Sequence, residues 1–210
     1  MPIVLQIKAS RASFFFLTFE AKLEPLKKAI ASIIFWIFGW KAKVNLTDDM
    51  KHSVMIAAPH TSNWDFPIAL MAFWKMEVPV RYFIKDYYTK GILGWFFKWT
   101  GAIGVNRSKE KNHLTNFAIE QLKSNKELII LVTPEGSRKR AEKWRTGFYR
   151  IAKAANVPIC LAYVDFPDKV TGIREVFQPS EDFEADMEYI QNAYADYRGK
   201  FPENFNPKIY

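Results

Sequence analysis

The chain has 210 residues, enough for one domain with a substantial core and too few for two comfortable ones. Its formal net charge of +8 indicates an anionic partner, which could be nucleic acid, an anionic lipid surface or a phosphorylated substrate. Hydrophobic residues make up 49% and aromatic residues 16% of the chain, a content that suits contact with a membrane interface.

Metal and nucleic-acid functions gain no support from the motifs. The single cysteine, Cys160, excludes a disulfide within the chain and a cysteine-based zinc site, and its apolar neighbours predict a buried thiol. The three histidines, His52, His60 and His113, lack the spacing of metal ligands, so we predict no metal. No helix-turn-helix, zinc-finger or aromatic RNA-binding signature accompanies the positive charge, so no nucleic-acid partner is expected.

The N-terminal segment, residues 1–43, contains an uncharged apolar run at 29–40 with lysines on both sides. A transmembrane helix needs about 20 apolar residues, so this run is too short to span a bilayer. We predict an interfacial helix that anchors the protein to the cytoplasmic face of a membrane without crossing it. A buried core helix is the alternative. A secretory signal is not expected, because the start of the chain lacks the basic and apolar regions of one.

Strand-like and helix-like segments alternate through the rest of the chain, residues 44–210, which we predict to be one domain. This alternation predicts an α/β fold with a central, largely parallel or mixed sheet flanked by helices and preceded by the interfacial helix. The predicted strands are 54–58, 78–84, 101–107, 127–132 and 157–164, and the predicted helices are 66–74, 91–99, 112–125, 147–155 and 183–200.

A polar turn that contains His60 joins the strand at 54–58 to the following helix. On one continuous helix His60 and Asp65 would point about 140° apart, so they can meet only if His60 precedes the helix. Asp65 in the first helical turn could then reach back to the imidazole and fix its tautomer for base catalysis. The alternative is an ordinary helix cap of the S-x-x-D type, beginning at Ser62, with His60 idle on the surface.

A second polar turn, residues 133–138, follows the strand at 127–132. His60, Arg107 and Glu135 each come after a predicted strand, and ligands of parallel sheets gather beyond the carboxyl ends of strands. Residues 138–153 carry seven lysines or arginines against one acid. We therefore expect an anion near this turn.

Four blocks give the sequence a specific resemblance, spanning about residues 53–164. His60 through Asp65 looks like an N-H-x-x-x-x-D block, 101–107 like G-x-x-x-x-x-R, 133–138 like F-P-E-G-T-R, and 157–159 like V-P-I. In this order they resemble the glycerolipid acyltransferase family, typified by 1-acyl-glycerol-3-phosphate (lysophosphatidic acid) acyltransferases. Three positions depart from the pattern: Pro59 replaces Asn, Thr133 replaces Phe and Ser137 replaces Thr.

The resemblance implies a glycerol-3-phosphate acyltransferase-like fold and a role for each block. His60 would be the general base on the acceptor hydroxyl and Asp65 would orient it. Glu135 would orient an arginine or accept a hydroxyl of the glycerol, since a carboxylate cannot bind phosphate. The acceptor-binding residues would be Arg107, Glu135, Gly136, Ser137 and Arg138. Val157, Pro158 and Ile159 would shape the acyl or thioester site, with a plain core strand as the alternative.

The expected function is therefore membrane-associated O-acyl transfer without a cofactor. A fatty acyl chain would pass from acyl-CoA or acyl carrier protein to a lysophospholipid such as 1-acyl-glycerol-3-phosphate, so the partners would be these substrates and membrane lipids. Two alternatives stay open. In the first, the same fold and the same His60–Asp65 dyad act on another lipid acceptor, an amino-acid lipid or a glycolipid. The second is an inactive membrane-surface scaffold, which is disfavoured because His60 and Asp65 are both present.

Overall fold

Seven strands form one mixed sheet in the computed structural model, which describes residues 11–44, 47–106, 114–206 and 208–210, with side chains outside 11–22 and 92. The strand order is β1-β7-β6-β2-β5-β3-β4, and all neighbours are parallel except β6 and β7. The strands are β1 (Lys41–Val44), β2 (Ser53–Ala58), β3 (Val80–Lys85), β4 (Ala102–Val105), β5 (Ile129–Val132), β6 (Ile159–Asp165) and β7 (Val170–Phe177). The predicted α/β class and mixed sheet are confirmed.

Helices cover both faces of this sheet. They are α1 (Arg11–Phe38), α2 (Asp65–Met76), α3 (Ile92–Trp99), α4 (Leu114–Ser124), α5 (Gly147–Ala155) and α6 (Phe183–Tyr194), with 3-10 turns at Asp48–Lys51, Asp86–Thr89 and Pro202–Asn204. Side chains of a strand alternate between the faces, so Val54 and Ile56 pack with α4, α5 and α6 while Met55 packs with α1 and α2. All three are fully buried, and each such side chain stabilises the fold by about 1.5–3 kcal/mol.

The two central strands set the position of the polar turns. β2 and β5 are parallel neighbours in which Ile56 pairs with Val132. His60 comes four residues after Ile56, and Glu135 comes three residues after Val132. Because parallel strands end at the same edge, the two polar turns lie side by side, as the strand pattern predicts.

Two parts of the fold differ from the prediction, the β1–β7 pair and the end of the last helix. Strand β1 pairs with β7, and neither strand was predicted. The division of the chain into residues 1–43 and 44–210 stays a prediction. The last helix was predicted to run to residue 200 but ends at Tyr194. Beyond it, Asp165 and Phe166 at the end of β6 bind the backbone of Arg198, and these bonds draw the chain away from the helix axis.

Helix α1 has one buried and one exposed apolar face. One stripe, which includes Ala31 and Phe35, is buried in the core, and Lys28 forms an ion pair with Glu77 just beyond α2 at 2.6 Å. The opposite stripe is apolar and exposed, with Trp36 81% exposed. Within the described residues, no helix combines the length and the apolar character that crossing a membrane requires.

Candidate active site

The structure brings His60 and Asp65 together. β2 ends at Ala58, the peptide bond to Pro59 is cis, and α2 begins at Asp65, so His60 precedes the helix. The imidazole Nδ1 lies 3.2 Å from Asp65 Oδ2. A carboxylate can only accept hydrogen bonds, so Nδ1 carries the proton of this contact. The other ring nitrogen, Nε2, is therefore the basic one. His60 lines the central cavity.

The Asp65 carboxylate also binds the turn that precedes its own helix. Oδ2 accepts the backbone N–H groups of Thr61 at 2.6 Å and of Ser62 at 2.8 Å, and Oδ1 accepts the Ser62 hydroxyl. Ser62 Oγ in turn accepts the N–H of Trp64. These bonds hold Asp65 against the turn and against His60. The helix-cap alternative is not observed, because the N-cap of α2 is Trp64, which has no side-chain capping bond.

Glu135 supports the same turn from the neighbouring strand. Its side chain is buried, and its oxygens lie 2.9 and 3.1 Å from the backbone N–H of His60, which donates to them. Burial raises the pKa of Glu135 to about 7. In the described part of the chain its hydrogen-bond partner is the main chain of His60, and a role toward an arginine or a substrate hydroxyl stays a prediction.

Two arginines line the same cavity as this pair. Gly136 adopts a positive φ of 70°, and a Cβ there would lie 2.6 Å from Arg145 Nε, so the glycine makes room for that guanidinium. Arg138 and Arg145 both line the cavity together with Lys85. Among the described residues, neither guanidinium has a hydrogen bond or an ion pair. They are available to bind an anion.

The cavity has a volume of about 1030 Å³, at the upper end of what small-molecule sites occupy. His60, Asn63 and Asp65 line it, as do the three cations. Buried apolar residues continue the lining beneath α2, and these are Ala69, Tyr82, Leu131 and Val164. One cavity thus offers a basic imidazole, a cationic wall and an apolar recess.

Of the remaining predicted site residues, those that the structure describes do not line the cavity. Arg107 is outside the described residues. Ser137 is exposed, and its hydroxyl bonds the backbone of Lys139 instead of lining the cavity. Val157, Pro158 and Ile159 lie at the opposite edge of the sheet, where Ile159 pairs with Val54 at the start of β2. That edge is about 13 Å from Ala58 along the strand, so the geometry fits the core-strand alternative for this block.

Two cationic residues of the cavity, Lys85 and Arg145, were not among the predicted site residues. Lys85 ends β3, and the rule that selected Arg107, a cation directly after a strand, would have found it. Arg145 gives no such signal, because it comes from the long loop before α5. Its backbone N–H donates to Pro134 O at 2.8 Å, and this bond folds the loop back over Gly136.

Metal-binding groups are not gathered at this site. Among the residues that the structure describes, no cluster of three His, Cys, Asp or Glu side chains could hold an ion. Cys160 is buried as predicted and donates to Ser53 Oγ at 3.2 Å. Burial raises its thiol pKa to about 11, so Cys160 is a structural thiol.

Comparisons with known proteins bear on this arrangement. The profile of the family described as Acyltransferase matches residues 40–164, more than half of the chain. A 1-acyl-sn-glycerol-3-phosphate acyltransferase of Streptococcus pneumoniae is 25% identical over 135 residues, 63% of this chain and 50% of that protein. This chain thus spans about half the length of that curated relative. The crystal structure of the 1-acyl-sn-glycerophosphate (LPA) acyltransferase PlsC from Thermotoga maritima has the same fold, with a TM-score of 0.59, 15% identity and coverage of 83% of this chain and 78% of that one.

Proposed function

Because this chain belongs to the Acyltransferase family, we propose that it is a membrane-associated enzyme that acylates a lysophospholipid. The acyl donor is a thioester, acyl-CoA or acyl carrier protein, and the acceptor is a phosphate-bearing lipid such as 1-acyl-glycerol-3-phosphate, the compound in the name of the Streptococcus pneumoniae relative. The observation that carries the proposal is the His60–Asp65 pair at 3.2 Å in a cavity with cationic and apolar walls.

The reaction in this proposal uses His60 as the proton carrier. Nε2 removes the proton from the acceptor hydroxyl as the oxygen attacks the thioester carbonyl carbon. Asp65 holds the resulting imidazolium through Nδ1. The tetrahedral intermediate collapses with cleavage of the C–S bond, and the imidazolium returns its proton to the leaving thiolate. The products are an ester of the acceptor and a free thiol, and no cofactor takes part.

The two walls of the cavity match the two parts of such an acceptor. Lys85, Arg138 and Arg145 supply positive charge for a phosphate, and the planar arginine side chains suit its oxygens in pairs. The recess beneath α2 suits an acyl chain, because Ala69, Leu131 and Val164 present only carbon there. An acceptor without a phosphate would leave the cations unused.

The proposal is tested with purified protein, labelled acyl-CoA or acyl carrier protein, and a panel of acceptors. The panel holds 1-acyl-glycerol-3-phosphate, monoacylglycerol, an amino-acid lysolipid and a lysoglycolipid. We expect ester formation on the phosphate-bearing acceptor. Faster acylation of the amino-acid lipid or the glycolipid would favour those acceptors, and no transfer from either donor to any acceptor would contradict the proposed function.

Two exposed apolar surfaces support membrane association. On α1 the exposed stripe consists of Leu26, Ile33, Trp36, Ile37 and Phe38, and on α3 it consists of Leu93, Trp95 and Phe96. The two helices lie next to each other, because Lys27 Nζ of α1 sits over the ring of Trp99 at 5.5 Å. Together they form an apolar face, with lysines around it, of the kind that enters the headgroup region of a bilayer.

We expect the double substitution Trp36→Ser and Ile37→Ser to weaken binding to anionic liposomes at least tenfold, since each buried large apolar side chain is worth about 1.5–3 kcal/mol. Binding should also weaken with salt, because a lysine near an anionic surface contributes about 1 kcal/mol. Liposome flotation measures both effects. The matched control is Tyr189→Ser, an exposed aromatic of α6 on the other face of the sheet. Equal loss of binding in this control would contradict a specific membrane face.

A further inference from the structure

The C-terminal segment, residues 198–210, contacts the turn between β2 and α2, residues 59–64, which we call the catalytic turn. This segment lies outside the region that the family profile matches, residues 40–164. Its first residue is tied to the end of β6. Asp165 Oδ1 accepts the backbone N–H of Arg198 at 3.1 Å, and the N–H of Phe166 donates to Arg198 O at 3.0 Å. Because β6 is the neighbour of β2, the segment begins beside the turn that follows β2.

Thr61 is the point of contact in that turn. The backbone N–H of Phe201 donates to Thr61 Oγ1 at 3.2 Å. Gly199 is buried against the same side chain, so that a Cβ there would lie 2.3 Å from Oγ1 and 2.7 Å from Cγ2 of Thr61. A real Cβ atom does not approach another heavy atom so closely, so this contact requires glycine unless Thr61 moves.

Thr61 in turn holds the acid of the pair. Its backbone N–H donates to Asp65 Oδ2 at 2.6 Å, and this oxygen is also the one that faces His60 Nδ1. Thr61 is buried, so it cannot move outward without opening the turn. A displacement of Thr61 would therefore change the position of the carboxylate and of the imidazole it orients.

The same segment also binds the loop that carries the cavity arginines. Arg140 donates from Nη1 to Phe205 O at 2.7 Å, and the side-chain amide of Asn206 donates to the carbonyls of Ala141 and Glu142 at 3.0 and 2.6 Å. The backbone N–H of Trp144 donates to Ile209 O at 2.9 Å. The residues bound in this way lie between Arg138 and Arg145, in a stretch that we call the arginine loop. The C-terminal segment therefore contacts both the catalytic turn and the arginine loop.

We propose that residues 198–210 act as a strap that holds the catalytic turn and the arginine loop in place, and that Gly199 is a positioning residue for the His60–Asp65 pair. The kinetic consequence rests on the proposed acyl transfer, whereas the structural consequence does not. Gly199 contacts the turn at Thr61, whereas the arginine loop is bound by Phe205, Asn206 and Ile209. A disturbance at Gly199 is therefore expected to slow the reaction step and to leave the binding of the acceptor nearly unchanged.

Gly199→Ala is the direct test. We expect kcat to fall at least tenfold with the acceptor KM within about twofold of wild type, because a misplacement of about 1 Å in a catalytic group is enough for such a loss. Thr61→Ala in the same chain should restore part of kcat. It removes Oγ1 and Cγ2 and leaves only the Thr61 Cβ, which lies 3.1 Å from the new methyl group. No rescue by the second substitution would overturn the steric link.

Gly172→Ala is the matched control for loss of stability. A Cβ on this glycine of β7 would lie 1.7 Å from Lys43 O at the β1 edge, away from the cavity. We expect Tm to fall at least as far as in Gly199→Ala, with kcat of the folded protein near wild type. The outcome that contradicts the proposal is an equal loss of kcat in the two variants when the same fraction of each is folded. The C-terminal segment would then only stabilise the fold, and the proposal would be overturned.

Amide hydrogen exchange followed by mass spectrometry gives a readout that needs no activity. In Gly199→Ala, a peptide covering residues 60–65 should exchange faster, because the N–H groups of Thr61 and Ser62 lose their fixed acceptor, and in Gly172→Ala it should not. If wild type shows no acyl transfer, the proposed function fails while exchange still decides the strap. Wild-type exchange or wild-type kcat in Gly199→Ala would overturn the positioning role.

Discussion

His60→Ala is expected to lower the rate of acyl transfer by about 10²–10⁴-fold, the usual contribution of a general base. The fold should survive, because the interaction that ties this turn to β5 uses the backbone N–H of His60, which alanine retains. Only the contact from Nδ1 to Asp65 is lost. Steady-state kinetics with a thermal melt on the same samples gives both quantities.

His52→Ala is the matched control for this experiment. The ring of His52 also makes one hydrogen bond, from Nε2 to Leu122 O at 2.8 Å, but it does not line the cavity. We expect its turnover to stay near wild type. Near-normal turnover in His60→Ala with an unchanged Tm would exclude the dyad, and a rate loss that only follows unfolding would leave His60 with a structural role.

Local sequence was enough to predict the His60–Asp65 pair. Both residues belong to one strand–turn–helix unit, and their five-residue separation allows contact only when His60 precedes the helix. The hydrogen bonds that hold Asp65 come from Thr61 and Ser62 within the same turn. The central strands were equally accessible, since β2, β5 and β6 are buried on both faces and appear as continuous apolar runs.

Contacts between distant segments could not be predicted in the same way. β1 is a short edge strand with three exposed residues, and it forms because β7 offers a partner more than 120 residues later. Glu135 was expected to meet a substrate or an arginine, and only the pairing of β2 with β5 places it under His60. Thr61 and Gly199 are likewise brought together by the fold, and no motif links them.

The position of the V-P-I block shows the limit of a motif match. The block follows the others in order along the chain, yet Ile159 begins β6, whereas His60 follows the end of β2. Because β2 and β6 are parallel, the start of one strand cannot lie near the end of the other. The buried side chains of Val157 and Ile159 belong to the core at that edge.

Arg138→Ala should raise the KM for a phosphate-bearing acceptor at least tenfold while the donor KM changes little. A hydrogen bond to a charged group contributes about 1.5–3 kcal/mol, which corresponds to roughly 10–100-fold in binding, and Arg138 has no partner in the described part of the chain to compete with the ligand. Arg145→Ala should act in the same way. We expect the same result for Arg107→Ala, because Arg107 ends a predicted strand in the sequence.

The comparison of Arg138→Lys with Arg150→Ala separates a phosphate clamp from a general basic surface. Lysine keeps the charge but loses the planar pair of donors, so a clamp predicts partial recovery of the acceptor KM and a surface charge predicts full recovery. Arg150 belongs to the same basic run but is exposed on α5 and does not line the cavity, so its removal should leave the acceptor KM unchanged. Kinetics in detergent exclude effects of membrane attraction. An unchanged acceptor KM there for Arg107→Ala, Arg138→Ala and Arg145→Ala would remove the case for a phosphate and favour an amino-acid lipid or a glycolipid as the acceptor.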